Sequence, residues 1–245
     1  MRLDQAVAAR FPEISRRKAR ELIAAKRVFV NDRPVGVASR EVSDGDRITL
    51  AAELPELEVL RETDDWIAVS KPAGMPVQPP RDRKERSLEE LLRMRCRTIH
   101  LVHRIDTPTS GAVVFAKTKR AAAELSHLFA ARAIRKTYLA VIEGALDAGR
   151  GIDTPIDGKP ALTTIRPLRL LADHRTLVEA EILTGRTHQI RIHLQSIGHP
   201  VAGDRRYGAT RPAPRLLLHA WKLWHPMFGD ELVAAPPPEF PPGDH

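Results

Sequence analysis

The chain has 245 residues with 42% hydrophobic content, enough to bury a sizeable core as one large domain or as a large and a small one. Its 39 Lys and Arg give a net charge of +8 and a pI near 10.0; with no basic amphipathic helix rich in bulky apolar residues in view, that excess favours nucleic acid over a membrane surface as partner. The single Cys96 excludes an internal disulfide and a multi-cysteine metal site, the N-terminus lacks an apolar signal core, and no run approaches the roughly 18 apolar residues of a membrane span. A cytoplasmic protein is expected.

Residues 1–52 read as a compact first unit. Ser15 caps a predicted helix running to Lys26, in which Ala19, Leu22 and Ile23 form one apolar stripe and the opposite face is basic. Arg16, Arg17, Lys18 and Arg20 lie on that helix and Arg27 at its exit; the plainer reading of any one of them is a solvated charge. Short strands follow at Val28-Phe29-Val30 and near Arg47 to Leu50, with turns at Asn31 to Pro34 and Ser43 to Asp46. Residues 53–60 read as a linker, residues 61–233 as a second domain, and the Pro-rich residues 234–245 as a disordered tail.

The second domain opens with a strand, Trp66 to Ser70, that runs into a Lys71-Pro72-Ala73-Gly74 turn. A helix capped by Ser87 carries the stripe Leu88, Leu91 and Leu92. The chain then reaches His103-Arg104-Ile105-Asp106-Thr107-Pro108-Thr109-Ser110-Gly111, a polar loop ahead of the apolar strand Ala112 to Ala116. One carboxylate sits between a basic pair and a turn, on a loop anchored by a buried strand. Such a group is placed for chemistry, although pairing with Arg104 on a solvated surface explains it equally well. A helix over 120–132 follows, and then a strand in which Tyr138 and Ala140 face one way and Leu139 and Val141 the other. Residues 145–180 look like scaffold. A Thr184-Gly185 turn leads to a helix with Ile190, Leu194 and Ile197 toward the core and His188 and Arg191 at neighbouring angles. His188, His193 and His199 are spaced by five and six residues, which does not align them on one helical face, so no metal site is expected. The segment from Arg215 to Pro226 reads as an apolar core strand.

HRIDTPTSG followed by an apolar strand resembles the signature of the RluA family of RNA pseudouridine synthases, whose catalytic aspartate corresponds to Asp106. Ile105 stands where the family usually has Leu. The strand running into Lys71-Pro72-Ala73-Gly74, the Lys136-Thr137-Tyr138-Leu139-Ala140 pattern, and Thr184 to Arg191 with the Gly-His-Pro and Gly203-Asp204 turns resemble further motifs of that family, in order, over most of residues 60–226. The first unit, with its basic helix leading into VFVNDRPV and a DGD turn, resembles the S-four-like RNA-binding domain. The resemblance implies an α+β protein: a small S-four-like domain, then a catalytic domain with a mixed, mainly antiparallel sheet flanked by helices and a central cleft. It implies that Tyr138 lies against the target uridine and that a basic residue, Arg191 first and Arg186 second, pairs with Asp106. Arg104 would fill the space of an extruded base, and Arg16, Arg17, Lys18, Arg20 and Arg27 would contact RNA phosphates.

The implied reaction cuts uracil from ribose at its ring nitrogen, turns it and rejoins it through carbon 5, with no net redox and no cofactor. A carboxylate beside the sugar is needed, and it could attack the anomeric carbon, add to carbon 6 of the base, or take the ribose 2′ proton. A cationic Arg191 nearby would favour the charged form of Asp106 and orient it. Large-subunit ribosomal RNA is the expected target for a monomeric enzyme of this kind. Transfer RNA as target, a catalytically inert RNA-binding or ribosome-assembly protein, and a metal-dependent RNA hydrolase are the alternatives.

Overall fold

The computed structural model describes residues 1–24, 27–31, 33–50, 57–80 and 86–241. It divides into two compact units, Met1–Glu56 and Leu57–His245. The first contains α1 (Leu3–Arg10), α2 (Arg16–Ala24) and strands β1 (Val28–Val30), β2 (Arg33–Val35) and β3 (Ile48–Leu50), paired antiparallel in the order β2-β1-β3. Ser15 Oγ accepts from the Lys18 N–H (3.2 Å), so α2 starts where the cap residue predicts. Leu3, Val7, Ala19, Ile23, Val28, Val30 and Ile48 form its core. The predicted extension of α2 to Lys26 and part of the predicted linker, 53–56, lie outside the described residues.

Among the described residues of this unit one carboxylate, that of Asp4, is buried. Asp4 Oδ2 accepts from Arg20 Nε (2.8 Å) and Arg16 Nε (3.0 Å), and Oδ1 accepts from Arg2 Nε (3.3 Å). The Arg20 and Arg16 hydrogen bonds hold its carboxyl far below the usual carboxylate range, against burial, which acts the other way. A depressed native pKa gives stability that is present above the unfolded value of about 4 and is lost as pH falls through the native one. Urea unfolding followed on signals of the first 50 residues should therefore show this unit weaker at pH 3 than at pH 6, and Asp4→Asn should remove most of that difference.

The described residues of the second unit form one large sheet with three α-helices. Its strands are β4 (Glu58–Glu62), β5 (Trp66–Lys71), β6 (His100–Leu101), β7 (Ser110–Ala116), β8 (Arg135–Glu143), β9 (Arg150–Ile152), β10 (Thr163–Leu170), β11 (Arg175–Ile182), β12 (Leu218–Trp224) and β13 (Leu232–Val233). The main path is β4-β5-β7-β12-β8-β11-β10-β9, with β6 on β7 and β13 on β12; among the described residues only β7 and β12 pair in parallel. The helices are α3 (Leu88–Arg95), α4 (Lys119–Ala130) and α5 (Gln189–Ser196). Ser87 and Glu90 close a capping box at the start of α3.

Strand alternation sorts the core. Val113 and Phe115 of β7, Tyr138, Ala140 and Ile142 of β8, and Val178, Ala180 and Ile182 of β11 share one cluster with Ile190 and Leu194 of α5. Ala112, Val114 and Ala116 take the other face of β7 against α4, and Leu139 and Val141 take the other face of β8. α5 is thereby fixed over the sheet face that carries Tyr138.

β4 begins inside the predicted linker, because its backbone pairs with β5 from Glu58 onward. The predicted tail is also corrected. Ala234 is buried and its N–H donates to Trp221 O (2.9 Å), while Phe240 is buried against Trp221 and Leu217. Proline content points to disorder, but a single aromatic with a pocket to fill anchors the segment as far as Pro241; residues 242–245 lie outside the described set. No helix among the described residues is long and apolar enough to cross a membrane.

β7 approaches β12 very closely at Gly111. Its φ is +117°, and a Cβ there would sit 2.1 Å from Ala220 O. Neither the backbone conformation nor the space admits a side chain. Gly111→Ala should cost about 3 kcal/mol or more, read as a lowered urea midpoint.

Candidate active site

The loop between β6 and β7 is tied down at both flanks. Lys71, at the end of β5, is buried and its Nζ donates to Met75 O (2.8 Å), Pro72 O (2.9 Å) and Thr107 O (3.1 Å). Thr107 O also accepts from the Gly74 N–H (2.9 Å), so the turn after β5 and the loop share one carbonyl. Burial pushes the Lys71 ammonium down to about 7, opposed by the charge of Asp106. Before the loop, the His103 ring stacks on Phe129 at 4.2 Å and its Nε2 accepts from the Val114 N–H (2.9 Å). Burial lowers that imidazole to about 3, which keeps it a neutral acceptor.

Between these ties lies Asp106, its side chain one quarter exposed. Arg191 of α5 donates from Nη1 to Asp106 Oδ2 (3.1 Å), from Nε to Asp204 Oδ2 (2.7 Å) and from Nη2 to Asp204 Oδ1 (2.9 Å). The Asp204 carboxylate is almost wholly buried, so the guanidinium is clamped on one edge and offers the other to Asp106. Burial disfavours the Arg191 charge, but the hydrogen bonds it donates to Asp204 and Asp106, with their negative charges, more than offset this and raise its pKa. His188, with a left-handed φ of +55° at the start of α5, brings Nε2 to 3.8 Å from the same Oδ2 and hydrogen-bonds Tyr207 through Nδ1 (2.9 Å). Burial lowers its pKa while Asp106 opposes the shift. Both neighbours meet Oδ2. Oδ1 has no protein partner among the described residues and is not buried.

Asp106 borders an open pocket of about 430 Å³ whose lining includes Arg104, Tyr138, Arg186 and Arg191. The four sequence-predicted substrate residues thus meet around the predicted catalytic carboxylate. Tyr138 is buried at the pocket wall; burial, and then Asp106, push its phenol above its ordinary range. Arg104 is exposed at the mouth, and Arg186 is held by Pro160 O through Nε (3.2 Å). Arg191 rather than Arg186 pairs with Asp106. The histidines do not converge: His193 bonds Thr163 Oγ1 and Thr154 O, and His199 bonds Glu143 O. No cluster of three or more metal-ligating side chains exists among the described residues. Asp204 and Tyr207 carry no local signal as site residues: the Gly203-Asp204 turn is legible in the sequence, but nothing nearby says that its carboxylate holds Arg191.

In the N-terminal unit, Arg16 and Arg20 each commit Nε to Asp4 and remain about half exposed. Arg17 and Lys18 approach Glu21 at 4.0 and 3.4 Å, and Arg27 is partly buried with Nε unpartnered.

The family model for RNA pseudouridylate synthases matches residues 65–196, and the S4 domain model matches residues 1–48. The chain belongs to the RNA pseudouridylate synthase family. Ribosomal large subunit pseudouridine synthase D of Nitrosomonas europaea is 34% identical, over 95% of this chain and 80% of that protein. An uncharacterized RNA pseudouridine synthase of Bacillus subtilis is 36% identical, over 81% of this chain and 74% of that one. Among solved structures, human RNA pseudouridylate synthase domain containing 1 superposes with a TM-score of 0.64 at 29% identity, covering 76% of this chain and 85% of that one. The fold is α+β with an N-terminal S4 domain, and the protein is an RNA pseudouridine synthase whose substrate is RNA.

Proposed function

We propose that this synthase isomerises a uridine of large-subunit ribosomal RNA, with Asp106 as the catalytic residue. The supporting observation is the asymmetry of its carboxylate: Oδ2 is held by Arg191, while Oδ1 has no protein partner among the described residues, and Asp106 lines a pocket bordered by Tyr138. In the reaction the bond from N1 to C1′ breaks, the bond from C5 to C1′ forms, C5 loses its proton and N1 gains one. The three routes from the carboxylate, attack at C1′, addition at C6 and removal of the 2′ proton, all start from a nucleophile or base positioned beside the sugar. Arg191 positions it, Tyr138 supports the base while it turns, and Arg104 at the mouth occupies the place of the extruded base. Arg186 lines the same pocket.

Arg16, Arg17, Lys18, Arg20 and Arg27 contribute sequence-independent phosphate contacts, and the protein works as a cytoplasmic monomer without cofactor. The choice of ribosomal RNA is supported by the names of relatives that align along most of their length. Carbodiimide modification and primer extension on total RNA, from cells with and without the gene, tests it. Loss of the signal at one or more uridines of large-subunit RNA is the expected result. A lost signal in transfer RNA would move the target, and no change in any RNA would overturn the reading.

A further inference from the structure

A second, open cavity shares Arg104, Tyr138 and Arg186 with the catalytic pocket and is otherwise walled by residues that the reaction does not use. Lys136 is one of them. It lies two residues before Tyr138 on β8, on the same face of the strand and about 7 Å along it, a separation on the scale of one nucleotide. Its side chain is almost fully buried, yet among the described residues its ammonium has one acceptor, Leu183 O at 2.7 Å, for three N–H donors. Burial, with the charge of Arg132 adding to it, lowers the Lys136 pKa to about 8. A buried cation with spare donors facing a cavity is an unfinished contact.

Arg132 is the second unusual residue. It follows α4 in the left-handed region, φ +60°, donating its N–H to Phe129 O (3.2 Å), a position where glycine is the ordinary choice. It is exposed, lines the same cavity and has no ion pair among the described residues. Phe129 lines it too, its ring centroid 5.9 Å from Lys136 Nζ. Two cations and an aromatic ring lining one cavity, beside the pocket for a base, suit an anion on a polymer that continues from that base.

We propose that this cavity is a phosphate subsite in which Lys136 and Arg132 bind the phosphodiester of a nucleotide next to the target uridine. The inference rests on the reading of the Asp106 pocket as the uridine site.

The test is equilibrium binding of a dye-labelled octauridylate across a salt series, with wild type, Lys136→Met and Arg132→Gly. Each variant should bind about fivefold more weakly at low salt, with a slope of log K against log salt shallower by about 0.7, the value for one lost contact on a single strand. Arg132→Gly should also hold or raise the melting temperature, since it relaxes a left-handed residue; this separates a phosphate contact from a helix cap. Unchanged slopes in both variants, or no binding of octauridylate by the wild type, would overturn the subsite. Altered slopes with no conversion of any RNA by the wild type would instead overturn the uridine reading, and unchanged slopes with conversion intact would overturn the subsite alone.

Discussion

An Asp106→Asn protein should fold, bind RNA as the wild type does, and lose roughly 10⁴-fold in turnover. The amide keeps the size of the side chain and an oxygen that still accepts from Arg191 Nη1, so the loop tied by Lys71 and His103 has no reason to move. What disappears is the anionic oxygen on the open side of the carboxylate. Conversion of the mapped uridine, followed by release of the C5 proton from labelled RNA, measures the chemistry, and filter binding measures affinity. Turnover above about one hundredth of wild type would sink the assignment of Asp106, whatever the binding.

Arg191→Met should fail in two ways at once. Removing the guanidinium leaves Asp204 buried without its partner and Asp106 without its orienting contact. Breaking a buried ion pair from one side costs about 3–5 kcal/mol, because the remaining charge is left uncompensated. The urea midpoint should fall accordingly and turnover should drop by about two orders of magnitude or more. The cycle with Asp204→Asn separates the two effects. The double variant should recover much of the stability, since neither buried charge remains, and none of the turnover. Equal instability in the double variant would show that Arg191 matters for packing rather than for charge.

The parts of this fold that could be read from sequence are those that local physics dictates. The run Ala112 to Ala116 is apolar at every position because β7 is covered on both faces. The alternation around Tyr138 gave its facing correctly, because a strand's period of two leaves no other option. The stripe Ile190, Leu194 and Ile197 placed α5 on the core, and with it Arg191. The missing parts depend on distant residues. α1 has almost no amphipathic contrast and no capping side chain, so it is helical through its packing in the first core. Asp4 and Lys71 look like surface charges until their distant partners, Arg16 and Arg20 in one case and Thr107 in the other, are known. Asp204 follows the same rule: its carboxylate gains meaning only when Arg191, thirteen residues earlier, turns toward it.

The position of β12 in the sheet bears on how the enzyme is made. β4, β5 and β7 pair among themselves, as do β8, β11, β10 and β9; β12 lies between the two groups, bonded in parallel to Ser110 and Gly111 and antiparallel to β8. Each group is assembled from short-range or moderate-range pairings, whereas the strand that joins them comes later in sequence than every strand of either group, and loop closure over such a distance is slow. Asp106 and Tyr138 belong to different groups. The chain can therefore hold both in locally ordered form and still have no working site until residues 218–224 have inserted between the two groups.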